Sequence, residues 1–281
     1  MHAEETVLSE PVKGVGTPVA LSTSSVYPDT TPDAFEVAAR LGYDGIEVMV
    51  YTDPVSQDMD VLRTLRDYHQ VPVVSVHAPS LLLTQRVWGR EPWEKLRKAK
   101  DVAEKLGARV VVLHPPFRWQ REYVRGFEAG LAKISEETDV AFAVENMYPL
   151  RAGGREVVTY GPHWDPTALD CASVTLDLSH TAASGSDALA MAAELGSRLV
   201  HVHLADGSGV SSGPFPDEHL IPGHGSQPCA ELLGHLTATG YPGAVIVEVK
   251  TNRAETREAR LAALAESLEF AREHLAQVPA R

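Results

Sequence analysis

Residues that can bind a divalent metal stand at the ends of six successive apolar runs of the sequence. On average composition, a histidine, aspartate or glutamate occupies a given position roughly one time in six, so six consecutive occurrences are not expected by chance. Imidazole and carboxylate groups together suit zinc, manganese and other borderline divalent cations, without any thiolate. The pattern predicts a metal site built from His77, His114, Glu145, Asp177, His203 and Glu248.

Two loop segments add further candidate ligands. The sequence continues from Asp177 as Asp-Leu-Ser-His, which places His180 one turn beyond the end of the run. In Asp217-Glu218-His219 the outer residues are two apart, so in an extended segment their side chains point the same way. We expect a divalent metal there, most readily zinc or manganese, with these loop residues either binding metal or holding the substrate.

The elements that must position these residues follow from the hydrophobic pattern. Eight short β-branched apolar runs alternate with amphipathic segments, as expected for parallel strands buried on both faces. In a closed barrel the carboxyl ends of such strands converge on the face that carries active sites. The prediction is an α/β fold, a single (β/α)8 TIM barrel with eight parallel strands at 19–24, 45–50, 71–77, 109–114, 140–145, 173–177, 198–203 and 244–248.

Helix signals separate most of the runs. Apolar residues at three- and four-residue spacing precede Gly107, and Thr31-Pro32 and residues 226–228 are typical helix starts. The fifth unit is the exception, because residues 146–166 are rich in glycine and proline and predict a short or displaced helix. The eight repeats and the lack of a glycine-rich first turn favour the barrel over an open doubly wound sheet.

The bulk properties fit one soluble domain. The chain has 281 residues, and we expect a flexible tail at 1–16 followed by the barrel at 17–281. It has two cysteines without CxxC spacing and no apolar run of the ~20 residues that a membrane span needs, so a cytoplasmic location is expected. The formal net charge of −13 argues against nucleic acid as a partner.

The motifs at the run ends resemble those of the xylose-isomerase-like barrel superfamily, which contains sugar isomerases and epimerases, inosose dehydratases and endonuclease IV. The resemblance covers the third to eighth runs in order, and it is specific to the superfamily rather than to one activity. The matching segments are SVHAP at 75–79, VLHPP at 112–116, VEN at 144–146, DLSHTAASGSD at 177–187, HVHLAD at 201–206, DEHLIPGHG at 217–225 and VEV at 247–249.

The resemblance implies two alternative site compositions. In the isomerases and epimerases, one metal is held at the positions of Glu145, Asp177, His203 and Glu248, and the two glutamates move a proton on and off the reacting carbon. In endonuclease IV, three zinc ions are held by nine residues, and all nine positions are filled here. The tyrosine and asparagine pattern and the Arg/Trp loop with which endonuclease IV engages DNA have no counterpart in HAPSLLLTQRVWG or VMVYTDPVSQD.

Other polar and aromatic residues are interpreted as substrate contacts. Arginines and tryptophans of the loops after the third to fifth runs predict a cationic, aromatic rim for an anionic substrate, and they are also a candidate homo-oligomer contact. His201 is interpreted as a structural residue pointing away from His203. The expected substrate-binding residues are His180, Glu47, Arg86, Arg118, Trp119 and His224.

Three functions are compatible with these features. The first is a metal-dependent isomerase or epimerase of a sugar or sugar phosphate, with Glu145 and Glu248 as the acid/base pair beside a metal-polarised carbonyl. The second is a phosphoesterase of the endonuclease IV type with several zinc ions. The third is a barrel that binds metal or a ligand without turnover. The sequence favours them in that order.

Overall fold

The computed structural model, which describes residues 16–152, 155–210 and 216–276, contains a closed barrel of eight parallel strands. The barrel closes because the first strand pairs with both the second and the last. A separate two-stranded hairpin, which is not part of the barrel, is inserted after the fifth barrel strand. In chain order the strands are β1 Val19–Ser22, β2 Gly45–Met49, β3 Val73–His77, β4 Val110–Leu113, β5 Ala141–Glu145, β6 Leu150–Ala152, β7 Arg155–Val157, β8 Ser173–Asp177, β9 Leu199–Leu204 and β10 Ala244–Val247.

Helices connect the barrel strands and cover the outside of the sheet. The predicted TIM barrel is therefore confirmed, and its strand ends lie within a few residues of the expected positions. No helix in the described ranges combines the length and apolarity that crossing a membrane requires. The helices are α1 Thr31–Leu41, α2 Met59–His69, α3 Pro92–Leu106, α4 Arg121–Ser135, α5 Leu178–Ser184, α6 Ala188–Leu195, α7 Cys229–Thr239 and α8 Arg257–Ala276.

Local sequence signals set the helix boundaries as expected. The Asp33 carboxylate accepts hydrogen bonds from the backbone N–H and hydroxyl of Thr30, which fixes the start of α1. Gly107 ends α3 with a left-handed φ of 78°, a conformation that costs glycine little. The most important cap for the site is Asp177, which ends β8 and caps α5 by accepting a hydrogen bond from the His180 N–H.

The strands divide their side chains between two environments. Outward residues such as Val111 and Leu113 join the main hydrophobic core between sheet and helices. Val112, which lies between them in the sequence, is also buried but does not belong to this core. Inward residues fill the barrel itself, as in other barrels of this size. Several inward residues are polar, including the fully buried Glu47 and Ser75. This polar interior lies directly beneath the strand ends that were predicted to bind metal.

The fifth unit differs from the expectation of a short or displaced helix. Within 146–152 and 155–172 the structure has the β6–β7 hairpin and a 3₁₀ turn at Pro166–Ala168, and no α-helix. Phe117, Met147 and Tyr160 form a small second core there, and Trp164 packs against it. Glycine and proline disfavour a helix, so this aromatic cluster organises the loop instead. Most of the predicted N-terminal tail, residues 1–15, lies outside the described residues.

Candidate metal centre

The six predicted strand-end residues converge at one mouth of the barrel. Each lies in, at the end of, or directly after a different strand, and the barrel closure brings these ends together. All six side chains are buried, so their charges and polar groups must be compensated within the protein or by a bound ion. Their exposed fractions are 2% for His77, 5% for His114, 1% for Glu145, and 0%, 0% and 7% for Asp177, His203 and Glu248.

The first cluster consists of His77, His114 and Glu145. The Nε2 atoms of the two histidines lie 3.1 and 2.9 Å from Oε2 of Glu145. One ligand atom from each residue can be chosen such that all three lie within 4.8 Å of one another. This spacing allows the three side chains to bind one cation.

The second cluster consists of Glu145, Asp177, His203 and Glu248. Nδ1 of His203 lies 3.0 Å from Oε1 of Glu145, 3.6 Å from Oδ2 of Asp177 and 2.9 Å from Oε2 of Glu248. Their ligand atoms also fall within 4.8 Å of one another. Three carboxylates and one imidazole around one point form an oxygen-rich site for a divalent cation.

The third cluster consists of Asp177, His180 and His219, with Asp217 beside it. Oδ2 of Asp217 lies 2.9 Å from Nε2 of His219 and 3.9 Å from Nε2 of His180. All nine predicted ligands are therefore adjacent, and two of them are shared. Glu145 belongs to the first and second clusters, and Asp177 to the second and third.

Histidine tautomers provide a test of whether a cation fits. His77, His180 and His219 each have Nδ1 near a backbone carbonyl oxygen, at 3.1, 2.7 and 2.7 Å. Because the carbonyl can only accept, Nδ1 carries the proton, and in the neutral ring Nε2 presents a lone pair. For His77 and His219 that lone pair faces a carboxylate oxygen. Two acceptors at this distance require a proton or a cation between them.

A buried carboxylate oxygen supports the same conclusion. Asp177 is fully buried, and its Oδ2 has no hydrogen-bond partner among the described residues, the nearest histidine nitrogen being 3.6 Å away on His203. An unpartnered charged oxygen is costly in a protein interior, and metal coordination is one of the few arrangements that offset this cost. The residues of the three clusters thus fit divalent cations.

Without a cation, the clusters balance their charge with protons. Burial alone would raise the pKa of Glu145, but the His203 and His114 imidazoles outweigh burial and hold the pKa well below its usual range. Burial opposes protonation of His219, but the Asp217 carboxylate raises the pKa of this histidine to about 9. A divalent cation would displace these protons, so metal binding at neutral pH should release protons.

Beneath the second cluster, His203 is held by a buried carboxylate. Glu47 Oε1 accepts a hydrogen bond from Nε2 of His203 at 3.1 Å, which leaves Nδ1 as the metal-facing atom. Its Oε2 lies 2.8 Å from Ser75 Oγ and 3.1 Å from Nε2 of His201. The expectation that Glu47 contacts substrate is therefore corrected, because its carboxylate is completely buried and used by protein donors.

The interpretation of His201 also needs correction. His201 and His203 are two residues apart in β9, and positions two apart on a strand share a face. Both rings accordingly point into the barrel and contact Glu47. The structural role assigned to His201 agrees with its place in this hydrogen-bonded group, although the predicted direction of its side chain was wrong.

Replacing Glu47 with glutamine should weaken metal binding without removing a ligand. The amide keeps the shape of the side chain but cannot accept from His203, His201 and Ser75 together. Loss of such a carboxylate partner typically lowers metal affinity by about 10–100-fold. Competition with a chromophoric chelator measures the affinity, and the exposed Glu269→Gln variant serves as control. Equal affinity in Glu47→Gln and wild type would show that Glu47 does not orient His203.

Four residues that the sequence analysis did not single out also position the centre. The side-chain amide of Asn146 donates to the Asp177 carbonyl oxygen and accepts from the Asp177 N–H. The backbone carbonyl oxygen of Asn146 accepts from Nδ1 of His180. The Ser179 hydroxyl donates a hydrogen bond to Oδ1 of Asp217 and accepts one from the His219 N–H. Lys250 Nζ lies 2.9 Å from Oδ2 of Asp217. The fourth, Asp206, accepts from four backbone N–H groups of its loop.

The predicted substrate contacts are distributed over three places. Arg86 and Trp119 line a cleft of about 700 Å³ between the loops after β3 and β4, and His114 stands on the wall that this cleft shares with the metal centre. Arg118 lines a different groove, which shares no lining residue with this cleft. His224 is half-exposed, and its Nε2 pairs with Glu266 of α8 at 2.7 Å. This pairing argues against its expected role in substrate binding.

Comparison with known proteins places these features in context. The sequence model of the family described as xylose isomerase-like TIM barrel matches residues 35–274. An uncharacterized protein of Mycobacterium tuberculosis is 48% identical over 276 residues, covering 92% of this chain and 97% of the relative. Fructoselysine 3-epimerase of Escherichia coli O157:H7 is 23% identical over 242 residues, covering 78% and 85%.

Solved structures share the fold at low sequence identity. A D-tagatose 3-epimerase-like protein has a TM-score of 0.65 at 23% identity, covering 92% of this chain and all of that one. The family 2 AP endonuclease of Brucella melitensis has a TM-score of 0.61 at 20% identity, covering 88% and 98%. The IOLI protein, crystallised with a zinc atom, has a TM-score of 0.66 at 17% identity, covering 92% and 100%.

Proposed function

Because the chain belongs to the xylose isomerase-like TIM barrel family, we propose that it is a metal-dependent enzyme and that its three clusters form a multinuclear centre for phosphoester hydrolysis. The observation that carries this proposal is the orientation of Glu145. One of its oxygens faces His77 and His114, and the other faces His203. A carboxylate whose two oxygens face different cation-binding clusters could contribute a ligand atom to each of them.

The orientation of Glu145 weighs against the function that the sequence ranks first. A glutamate that moves a proton on and off carbon needs an oxygen directed at the substrate. Here both oxygens of Glu145 lie within 3.1 Å of histidine nitrogens. Two and three closely spaced metals are instead a recurring arrangement in enzymes that displace groups at phosphorus. The geometry therefore moves the phosphoesterase to first place.

The donor set indicates which cations the centre would hold. Five imidazoles and four carboxylates favour zinc, with manganese as the alternative, and the zinc atom bound to the IOLI protein shows that a related barrel accepts this metal. When bound, such cations would neutralise the charge of a phosphoryl group and make water nucleophilic at neutral pH.

The chain itself supplies binding and orientation around the centre. The cleft beside His114 contains the exposed Arg86 and Arg90, whose guanidinium groups can bind a second anionic part of the substrate. Trp119, which stacks on Phe117 with ring centroids 4.5 Å apart, offers a flat apolar surface to the leaving group. This composition fits an organic phosphoester larger than inorganic phosphate.

The test is hydrolysis of bis(p-nitrophenyl) phosphate by the zinc-loaded protein. We expect metal-dependent release of p-nitrophenol, abolished by chelation and restored by zinc. The His224→Ala variant, altered at a surface histidine outside all three clusters, should keep wild-type activity. The proposal would be wrong if the protein binds its full complement of zinc yet hydrolyses neither this diester nor the corresponding monoester.

Sugar epimerisation remains the second candidate, supported by a specific set of residues. Glu145, Asp177, His203 and Glu248 form a four-residue cluster by themselves, and fructoselysine 3-epimerase is among the relatives. Oε2 of Glu248 lies 2.9 Å from His203, but within the described part of the chain its Oε1 accepts only from Ser24 Oγ, so this oxygen retains capacity to exchange a proton. Epimerisation would incorporate solvent deuterium at the reacting carbon of a ketose, whereas phosphoester hydrolysis would not.

A further inference from the structure

A second groove of about 700 Å³ lies outside the metal centre, between the start of α4 and residues 158–164. Its walls combine three arginines with a tyrosine, a histidine and a tryptophan. We call it the arginine groove, and its principal lining residues are Arg118, Arg121, Arg125, Tyr160, His163 and Trp164.

Backbone hydrogen bonds hold the two sides of the arginine groove together. The Arg118 N–H donates to the carbonyl oxygen of Thr159 at 2.8 Å, and the Gly161 N–H donates to Pro116 at 2.8 Å. A Cβ at Gly161 would approach Val124 of α4 to 3.2 Å, so the loop packs closely against the helix. The groove is therefore a fixed feature of the fold rather than a gap between loose segments.

The charges in the arginine groove are uncompensated by the protein. Among the described residues, no guanidinium group of Arg118, Arg121 or Arg125 takes part in an ion pair or hydrogen bond, whereas Arg257 and Arg260 pair with carboxylates. The first turn of α4, which begins with Arg121, also has no side-chain cap among the described residues. A helix N-terminus with unsatisfied N–H groups attracts negative charge and adds to the effect of the arginines.

Aromatic rings form the other wall. Trp164 and His163 are stacked, with centroids 5.5 Å apart and an interplanar angle of 24°. Trp164 is anchored on the cluster of Phe117, Met147 and Tyr160, which fixes its orientation. A rigid aromatic surface beside guanidinium groups suits a flat ring that carries anionic substituents.

We propose that the arginine groove is a second ligand site, which binds a phosphorylated molecule with a flat ring, of nucleotide size. The volume lies within the range of small-molecule sites, and the three cations match the charge of a diphosphate. Phe117 is stacked on Trp119, which lines the cleft beside His114, and on Tyr160, which lines this groove, so its occupant would be distinct from the group at the metal centre. This inference does not depend on the reaction that the centre performs.

ADP binding to the zinc-loaded protein, measured by equilibrium dialysis, tests the proposal. The double variant Arg121→Ala/Arg125→Ala should weaken binding by about tenfold or more, because each guanidinium–phosphate contact is charge-assisted. The matched control Arg97→Ala/Lys105→Ala removes two exposed positive charges from α3 and should bind as wild type does. Asp177→Asn, which impairs the metal centre, should leave this site intact.

Each alternative outcome is informative. Equal affinity in wild type and the Arg121/Arg125 variant would overturn the proposal, as would an equal loss in the control pair. Complete loss of ADP binding in Asp177→Asn would assign the nucleotide to the metal centre instead. Failure of phosphoester hydrolysis, with ADP binding still dependent on the arginines, would contradict the proposed function while leaving the arginine groove as a ligand site.

Discussion

Glu145→Gln is expected to remove metal from two clusters at once and to lower phosphoesterase activity by about 10³-fold or more. Glutamine retains the size of the side chain, but its amide nitrogen cannot bind a cation. Because the two oxygens of Glu145 face different clusters, either orientation of the amide leaves one cluster with a donor in place of an acceptor. Elemental analysis and the diester assay measure the two effects.

Glu248→Gln provides the matched comparison. Glu248 contributes to the second cluster alone, so its replacement should affect fewer cations than the replacement of Glu145. Exposed Glu94→Gln, the same chemical change on α3, should alter neither metal content nor activity. Equal metal loss in the Glu145 and Glu248 variants would contradict a role of Glu145 in two clusters and would favour the epimerase, in which the two glutamates act as a pair.

Asp206→Ala is expected to lower the free energy of unfolding by about 2–3 kcal/mol, because four N–H groups, one buried and three partly buried, lose their acceptor, and a buried donor left unpaired costs about 1–3 kcal/mol. Oδ1 of Asp206 accepts from Gly207 and Gln227, at 2.8 and 2.9 Å. Oδ2 accepts from Gly223 and Gly225, at 2.9 and 3.0 Å. These bonds hold the segment that follows Asp217 and His219, so the third cluster should lose metal affinity as well.

Urea denaturation and metal content together test the role of Asp206. Asp206→Asn keeps one carbonyl oxygen and should lie between wild type and Asp206→Ala in both measurements. Asp170→Ala, at an exposed aspartate, controls for the loss of one negative charge. An Asp206→Ala variant that unfolds at the wild-type urea concentration and retains all its metal would show that this loop is fixed by other contacts.

The positions of the metal ligands could be predicted because strand alternation and barrel closure leave little freedom. A residue that ends a buried parallel strand, such as Glu145 or Asp177, must lie at the mouth of the barrel. The spacing in Asp177-Leu-Ser-His was equally informative, because the short helix that Asp177 caps returns His180 to the same site. What the sequence could not give was the partition of these residues into clusters, which depends on distances across the barrel.

Residues whose roles depend on tertiary partners were harder to assign. Glu47 lies in the middle of β2 rather than at its end, and His201, His203 and Ser75 converge on it from other strands. The hairpin in place of the fifth helix depends on packing among Phe117, Met147 and Tyr160, which are far apart in the sequence. Local propensity indicated only that a regular helix was disfavoured there.

Zinc content per chain, measured by elemental analysis of gently purified and reloaded protein, tests the central claim most directly. We predict about three ions per chain, one for each of the three clusters that are linked through Glu145 and Asp177. A stoichiometry of about one would contradict the multinuclear centre and support the four-residue site of an epimerase. A protein that binds no divalent metal, even after reloading, would contradict both enzymatic functions.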